Sequence, residues 1–219
     1  MSTGSIAALN GNDVIAEAEL GQVQRTAQSL APALQSVLHE ANWQPRDVQL
    51  LAVTDGPGSF TGLRAGVTCA KVFAYATGAD VIAINTLEVI SAQADIDSEQ
   101  LWVVMDAQRQ QVFVAQFATT RASEPRTVLT TQIVDNDVWL QQLVKGYCVS
   151  GPGLAKLAKR VPAEVVVVAE AAWAPRAITL GRLALAKYQS GERSDYWTLA
   201  PQYFRKSAAE EKFDQGLLK

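Results

Sequence analysis

The chain has 219 residues, of which 48% are hydrophobic and 19% are charged, and its formal net charge is −3. These proportions exclude a disordered chain, and the acidic balance argues against a protein that binds nucleic acid through its own uniform positive field. The only histidine is His39, which excludes paired-histidine zinc sites and iron sites with two histidine ligands.

The two cysteines, Cys69 and Cys148, lie far apart and form no Cys-x-x-Cys motif. We expect both to be buried free thiols, because unpaired cysteine usually behaves as a small hydrophobic residue, and this fits a reducing, cytoplasmic setting. The N-terminus has no basic segment followed by an apolar run, so we expect no signal peptide. No apolar stretch approaches the roughly 20 residues that a membrane span needs.

Strands and helices alternate along the first half of the chain, which predicts a parallel, right-handed crossover. The predicted elements are, in order, strands over residues 5–10 and 13–20, a helix over 25–41, a strand over 48–54, a helix over 61–77, a strand over 80–84 and a short helix that begins at Thr86. Asn10-Gly11 is a strong hairpin signal between the first two strands. The 48–54 segment is almost continuously apolar, which is typical of a buried central strand.

A polar, acidic stretch over residues 94–100 predicts a boundary between two lobes, residues 1–97 and residues 98–219. We expect part of the helix over residues 175–190 to belong to the first lobe. The predicted elements of the second lobe are a hairpin of strands over 101–106 and 111–118, a strand over 128–134, a helix over 138–144 capped by Asp135 or Asn136, a short basic helix that ends at Arg160, a strand over 164–169 and a helix over 175–189. Residues 191–219 are polar and loosely patterned.

The loop after the 48–54 strand is the most informative segment of the sequence. Its glycines let the backbone approach another surface closely, and the free amides at the start of the next helix attract anions. Thr61 is expected to cap that helix, and Arg64 adds further donors. The residues of this candidate nucleotide or anion loop are Asp55, Gly56, Gly58, Ser59, Thr61 and Arg64. The alternative is an ordinary strand-to-helix turn, since neither a Walker loop nor a dinucleotide fingerprint is present.

Several other polar residues have both a structural and a functional interpretation. His39 is expected near the C-terminus of a helix, where its partial charge is favourable. Asp55 and Asp106 each follow a strand, where two carboxylates could hold a metal or polarise water, although a structural role is the simpler interpretation. A basic face of Lys156, Lys159 and Arg160 is either solvated or an RNA contact. The tryptophans interpreted as core or interface anchors are Trp102, Trp139, Trp173 and Trp197.

Residues 56–64, Gly-Pro-Gly-Ser-Phe-Thr-Gly-Leu-Arg, closely resemble the signature of the TsaB (YeaZ) family. Further matches run along nearly the whole chain: residues 5–9, 30–32, 104–113, 149–153 and 201–205. The resemblance implies an α/β, two-lobed actin-like fold of the ribonuclease H-like superfamily that includes sugar kinases and Hsp70. It also implies a catalytically degraded paralogue of TsaD, for which an older label was glycoprotease, or M22-like peptidase.

The resemblance implies an accessory subunit of a tRNA modification complex. A TsaD-like paralogue holds the metal and transfers a threonylcarbamoyl group onto the adenosine beside the anticodon, and a TsaE-like ATPase assists. This chain would be the non-catalytic scaffold, without catalytic residues, metal or resident cofactor, and would contact tRNA only through the complex. Weak binding of ATP or ADP at or near the partner interface stays open.

The resemblance implies that the helices over 25–41 and 61–77 form the partner interface. It also implies that the same helices form a homodimer interface when the chain is alone. The expected contact residues are Leu30, Leu34, Leu63, Gly66, Val67, Ala70 and Lys71. Small residues there suit close helix packing, either internally or across a subunit boundary. The rivals are a small actin-fold ATPase or phosphotransferase, an M22-like peptidase, and a free-standing homodimeric nucleotide-binding module.

Two departures from the family pattern matter. The family chain begins with an apolar strand that ends in Asp-Thr-Ser. In this sequence residues 1–4 precede the first predicted strand and that apolar strand is missing, so any phosphate contact from the turn after it is in doubt. We attribute this to a misassigned start, a shortened chain or another segment in its place. The metal-binding histidine pair of TsaD would lie on the 25–41 helix, where this chain has only His39.

Overall fold

The first lobe opens with a β-hairpin, in a computed structural model that describes residues 4–21, 26–120 and 123–205. Strand β1 (Ser5–Asn10) pairs antiparallel with β2 (Asp13–Glu19). Gly11 has a φ of 62° in the connecting turn, a left-handed backbone that glycine adopts without steric cost. The predicted hairpin is therefore confirmed.

Helix α1 (Thr26–Glu40) packs on this hairpin, within a residue of its predicted ends. The contact is a small apolar cluster that includes Ala8, Ala16 and Val37. His39 is exposed in the last helical turn, as expected.

A parallel crossover follows, as predicted. Strand β3 (Leu50–Gly56) pairs with β4 (Asp80–Asn85), and helix α2 (Phe60–Thr77) connects them. Short helix α3 (Thr86–Ser91) begins directly after β4. One face of α2 packs on β3 and β4, which fixes the direction in which its other face points.

The first lobe has a gap between its two pairs of strands. The β1–β2 and β3–β4 pairs are two separate two-stranded sheets, and no strand among the described residues joins them. Strand β3 therefore has an unpaired edge, and Leu50, Leu51 and Ala52 are only half-buried. The prediction of a fully buried central strand is wrong here because the described residues supply no neighbour on that edge.

The second lobe is a five-stranded sheet with the order β7-β6-β5-β8-β9. Its strands are β5 (Ser98–Asp106), β6 (Gln111–Thr120), β7 (Ser123–Asp135), β8 (Cys148–Ser150) and β9 (Val166–Val167). The first three form an antiparallel meander, and β8 and β9 add in parallel. Strand β7 is longer than the predicted 128–134, and β9 is only a remnant of the predicted 164–169.

Three helices complete the described chain: α4 (Asn136–Gln141), α5 (Leu154–Leu157) and α6 (Ala177–Gln189). Helix α5 continues as a 3₁₀ turn to Arg160. Helix α6 packs against β1, β3 and β4 of the first lobe. None of the described helices is both long and apolar enough to cross a membrane.

The core of the second lobe contains Trp102 and the fully buried Trp139, with Trp173 packed against it. These three tryptophans are core anchors, whereas Trp197 is 66% exposed. Cys69 and Cys148 are free but only partly buried, so the prediction that both are buried is wrong.

Candidate functional site

The glycine loop after β3 is bound by a distant segment of the chain. The backbone N–H of Gln202 donates to the Asp55 carbonyl at 2.8 Å, and its Nε2 donates to Asp55 Oδ2 at 2.8 Å. Gly56 has a φ of 147°, and a Cβ there would lie 2.6 Å from the Gln202 carbonyl oxygen. Only glycine fits this contact. Packing within the chain therefore requires glycine at position 56, the first residue of the signature.

Asp55 is a buried carboxyl group with one unpaired oxygen. Its side chain is 6% exposed, and Oδ1 has no hydrogen-bond partner among the described residues. Burial raises the pKa of Asp55, its hydrogen bonds with backbone and Gln202 oppose that rise, and the nearby Glu88 charge adds to it. The net effect favours a neutral Asp55 at pH values where a free aspartate is ionised.

The variant Asp55→Asn is expected to remove a pH dependence of stability. Because the folded-state pKa is raised, Asp55 favours folding most below its unfolded value of 3.8, and that contribution is lost as the pH rises through the folded-state value. Urea unfolding from pH 4 to 7 should show the variant gaining stability relative to the wild type. Asp13→Asn, at an exposed position of β2, is the control. A constant difference between Asp55→Asn and wild type across this range would contradict the assignment.

Helix α2 is capped by a residue other than the predicted one. Ser59 is the N-cap, and its Oγ accepts from the Gly62 N–H at 3.4 Å. Thr61 is exposed one residue inside the helix, so its prediction as the cap is wrong. Asx- and Ser-type caps act from the residue before the first helical turn, and the helix begins at Phe60 rather than Thr61.

Arg64 is occupied by aromatic neighbours. Its Nε donates to the Tyr203 hydroxyl at 2.7 Å, and its guanidinium carbon lies 4.0 Å from the centroid of the Phe60 ring. Cation–π contact and the hydrogen bond together orient Arg64 along the helix surface. Asp55, Ser59 and Arg64 of the candidate anion loop thus all have protein partners, and the nucleotide interpretation of this loop stays a prediction.

The expected contact residues of α2 lie on its inner face. Leu63, Val67 and Ala70 are buried within the chain, and their role in a partner interface stays a prediction. Lys71 donates to the carbonyl oxygens of Trp197, at 3.2 Å, and Leu199, at 2.8 Å. The small residues suit packing on β3 and β4, which is the internal alternative that the sequence left open.

Three further expected contact residues line a cavity. Leu30 and Leu34 of α1 are half-buried, and both face the same space as Gly66 of α2. This cavity lies between β1 and β3, inside the lobe.

The outer face of α2 is apolar and exposed. We define the aromatic face by the residues on this side of α2 and on the segment beside it: Phe60, Val72, Tyr75, Trp197 and Tyr203. The exposed fractions of Val72, Tyr75 and Trp197 are 61%, 68% and 66%. Trp197 packs edge-on against Tyr75 with ring centroids 5.6 Å apart, and Tyr203 lies 5.1 Å from Phe60. Sequence reasoning missed this face, although Phe60, Arg64 and Val72 recur at multiples of four residues.

Asp106, the last residue of β5, forms an ion pair. Asp106 pairs with Lys156, and its Oδ1 accepts from the Gln108 N–H at 2.8 Å. Partial burial would raise the pKa of Asp106, but the hydrogen bond and charge of Lys156 outweigh that effect and hold the pKa below its usual value. Arg160 likewise pairs with Asp137, which fits the solvated interpretation of the basic face.

The described part of the chain holds no group of three or more His, Cys, Asp or Glu side chains placed to share a metal ion. Asp55 and Asp106 each bond to a different neighbour, Gln202 and Lys156 respectively. The geometry therefore gives no support to the shared carboxylate site considered from the sequence.

A family model described as TsaD, tRNA N6-adenosine threonylcarbamoyltransferase, matches residues 14–213. The chain is similar to the tRNA threonylcarbamoyladenosine biosynthesis protein TsaB of Bacillus subtilis, with 30% identity over 141 residues, or 64% of this chain and 61% of that protein. It is also similar to a tRNA N6-adenosine threonylcarbamoyltransferase of Erythrobacter litoralis, with 42% identity over 62 residues, covering 28% of this chain and 18% of the relative. The chain thus spans about three fifths of the Bacillus protein.

Solved structures share the fold. YeaZ from Pseudomonas aeruginosa superposes with a TM-score of 0.76 at 22% identity, covering 92% of this chain and 94% of YeaZ. A protein described as similar to peptidase YeaZ from Pseudomonas aeruginosa gives a TM-score of 0.78 at 21% identity, covering 93% and 95%. The predicted two-lobed, actin-like α/β fold is confirmed.

Proposed function

This chain belongs to the TsaD family, among its TsaB (YeaZ) members, and from that membership we propose that it serves in the biosynthesis of threonylcarbamoyladenosine in tRNA. We propose further that it is a non-catalytic subunit that binds a TsaD-type paralogue. That partner would supply the metal and the group-transfer chemistry, and tRNA would be bound by the assembled complex.

The observation that carries the partner role is the aromatic face. Single exposed apolar residues are ordinary on a protein surface, but exposed aromatic side chains that cluster, as in the Phe60–Tyr203 and Tyr75–Trp197 pairs near the two ends of α2, mark an interaction site. Tyrosine and tryptophan are enriched among the residues that dominate binding energy at interfaces. The aromatic face follows one helix, so a helix of the partner packed along α2 is the contact that fits it best.

The burial of Asp55 supports a role without chemistry. The Asp55 carboxyl is packed against Gln202 and is 6% exposed. A group that contacts substrate must be accessible or become so. A nucleotide that reached the Asp55 carboxyl would first have to displace Gln202 from it.

Co-purification with the TsaD-type paralogue of the same organism tests the proposal. Size-exclusion chromatography with light scattering at about 10 μM should show a complex of one copy of each chain, since partners with micromolar or tighter affinity associate at this concentration. Transfer of threonylcarbamoyl to tRNA by the paralogue should depend on this chain. Absence of both effects would overturn the proposal. ATP turnover by the isolated chain that is lost in Asp55→Ala would favour the phosphotransferase instead.

A further inference from the structure

Helix α3 is the element on which both lobes pack. Among the described residues, none of the apolar core clusters contains strands of both lobes. Leu87 and Ile90 of α3 belong to the core of the second lobe, whereas Val89 packs with α6 on the sheet of the first lobe. Lobes that share only a small apolar contact move relative to each other unless something else restrains them. Helix α3 is therefore the expected axis for a rotation of one lobe against the other.

Several polar contacts between the lobes lie at the two ends of α3. Asn85, the N-cap of α3, donates through Nδ2 to Thr131 Oγ1 of β7 at 3.0 Å. Gln93, which follows α3, donates to the Ala174 carbonyl oxygen at 2.7 Å. The chain returns to the first lobe at the same place, where the Arg176 N–H donates to Gln93 Oε1 at 2.8 Å. Because these contacts lie close to the axis, they resist a rotation about α3 only weakly.

Residues 201–205, which we call the brace, are attached to the first lobe at the glycine loop. Gln202 donates to Asp55 from its backbone N–H and from its side chain, each at 2.8 Å. The Tyr203 hydroxyl accepts from Arg64 Nε at 2.7 Å. The brace thus begins on residues at the end of β3 and in the first turn of α2.

The brace continues onto the hairpin of β5 and β6 in the second lobe. Phe204 packs edge-on against Phe113 of β6, with ring centroids 6.2 Å apart, a favourable geometry for two aromatic rings. Arg205 donates to the side-chain oxygen of Gln111. Gln111 Nε2 in turn donates to Asp135 Oδ1, at the end of β7, at 2.8 Å. The second-lobe end of the brace is therefore held by β6, and through Gln111 by β7.

A groove separates the brace from the axis. Its volume is about 300 Å³, and it is lined by Glu88 of α3, Phe117 of β6, and Gln202 and Phe204 of the brace. The brace therefore connects the lobes at a distance from α3. A rotation about α3 would pull the two ends of the brace apart, and either the contacts of Gln202 or those of Phe204 would have to break.

We infer that the brace locks the two lobes at one angle and makes the chain a single rigid body. Rotation of the lobes about α3 is blocked as long as both ends of the brace are bound. Three segments singled out in the sequence, residues 56–64, 104–113 and 201–205, meet in this contact. The glycine loop then has a role beside capping α2, because it lies where the first-lobe end of the brace is bound.

Residual dipolar couplings of the backbone N–H groups test the inference on the full chain, because each rigid lobe reports its own alignment tensor. In the wild type one tensor should fit both lobes. The double variant Phe204→Ala/Arg205→Ala removes the second-lobe end of the brace. The tensor of one lobe should then shrink to about 0.8 or less of the other, as expected for a hinge motion on the microsecond to millisecond scale. Two different tensors in the wild type, or a single tensor in the double variant, would overturn the inference.

Tyr203→Ala is the matched control. It removes an aromatic ring from the same segment, but Tyr203 contacts Phe60 and Arg64 of the first lobe, so the lobes should keep one tensor. Equal loosening in Tyr203→Ala would contradict the assignment of the lock to the second-lobe contacts. If the double variant does not fold, Arg205→Ala decides, because it changes one partly exposed side chain, and an unchanged tensor ratio there would overturn the inference. The TsaD-type partner is absent from every sample, so the result is independent of the proposed function.

Discussion

Val72→Glu is expected to weaken binding of the TsaD-type partner at least about 100-fold. Val72 is 61% exposed on the outer side of α2, so the substitution should leave the monomer folded. At an interface the new carboxylate would be buried without a partner, and desolvation of an unpaired charge costs several kcal/mol. A loss of about 3 kcal/mol corresponds to a factor of roughly 100 in the dissociation constant. Isothermal titration calorimetry against the purified paralogue measures it.

Val144→Glu is the matched control. Val144 is 50% exposed and follows α4 in the second lobe, away from the aromatic face, so the same change there should leave affinity within about threefold of wild type. The melting temperatures of both variants should stay near that of the wild type, because exposed substitutions usually change stability by less than about 0.5 kcal/mol. Wild-type affinity of Val72→Glu would exclude the aromatic face as the contact, while leaving complex formation itself to be judged by co-purification.

Trp197→Ala extends the same argument to the segment beside α2. Trp197 is 66% exposed and contacts Tyr75, so its loss should cost little stability but about 2 kcal/mol of binding if it lies at the centre of the interface.

Local patterns predicted most elements of the fold. The hairpin follows from Gly11, which accepts a left-handed backbone in the turn after Asn10, and the parallel β3–α2–β4 unit follows from apolar periodicity and the glycine loop. The short strand β9 was predicted too long, because an apolar run extends past the residues that actually pair with β8. The pattern of apolar residues in a sequence indicates which residues are buried more directly than it indicates which residues pair in a sheet.

The candidate site was harder to predict because its contacts are not local. Gln202 is 147 residues from Asp55, and no spacing in the sequence links them. Helix α2 posed a different problem, since apolar or small residues occupy both its faces. Spacing alone identifies Leu63, Val67 and Ala70 as one side of the helix, but not whether that side packs on the sheet or on a partner.

The gap in the first lobe was hard to predict for a similar reason, because residue spacing does not show how strands pair. The apolar segment at residues 50–54 indicates a strand with two covered faces, and α2 and α6 do pack on its two sides. Periodicity says nothing about the two edges of a strand, which are satisfied by backbone pairing rather than by side-chain type. Only the arrangement of β1 and β3 around the cavity between them shows that an edge of β3 is unpaired among the described residues.

Gly151→Ala is expected to destabilise the protein by about 2–5 kcal/mol. Gly151 has a φ of 110°, and a Cβ there would lie 2.9 Å from the backbone nitrogen of Val104 and closer still to its carbonyl oxygen. The backbone conformation alone costs roughly 1–2 kcal/mol for alanine, and the clash forces the β5–β8 pair apart at a further cost of about 1–3 kcal/mol. This is a large share of the 5–15 kcal/mol that stabilises a typical domain. Urea unfolding followed by circular dichroism measures it.

Gly146→Ala separates the two contributions. Gly146 has a similar φ of 91°, but nothing lies within 4 Å of a Cβ built there. Its substitution should therefore cost only the backbone share, about 1–2 kcal/mol. The difference between the two variants then measures how tightly the turn at Gly151 is packed against Val104, a fully buried residue of the second-lobe core. Equal destabilisation by both variants would mean that the turn moves away from β5 at little cost, and that its glycine serves backbone conformation alone.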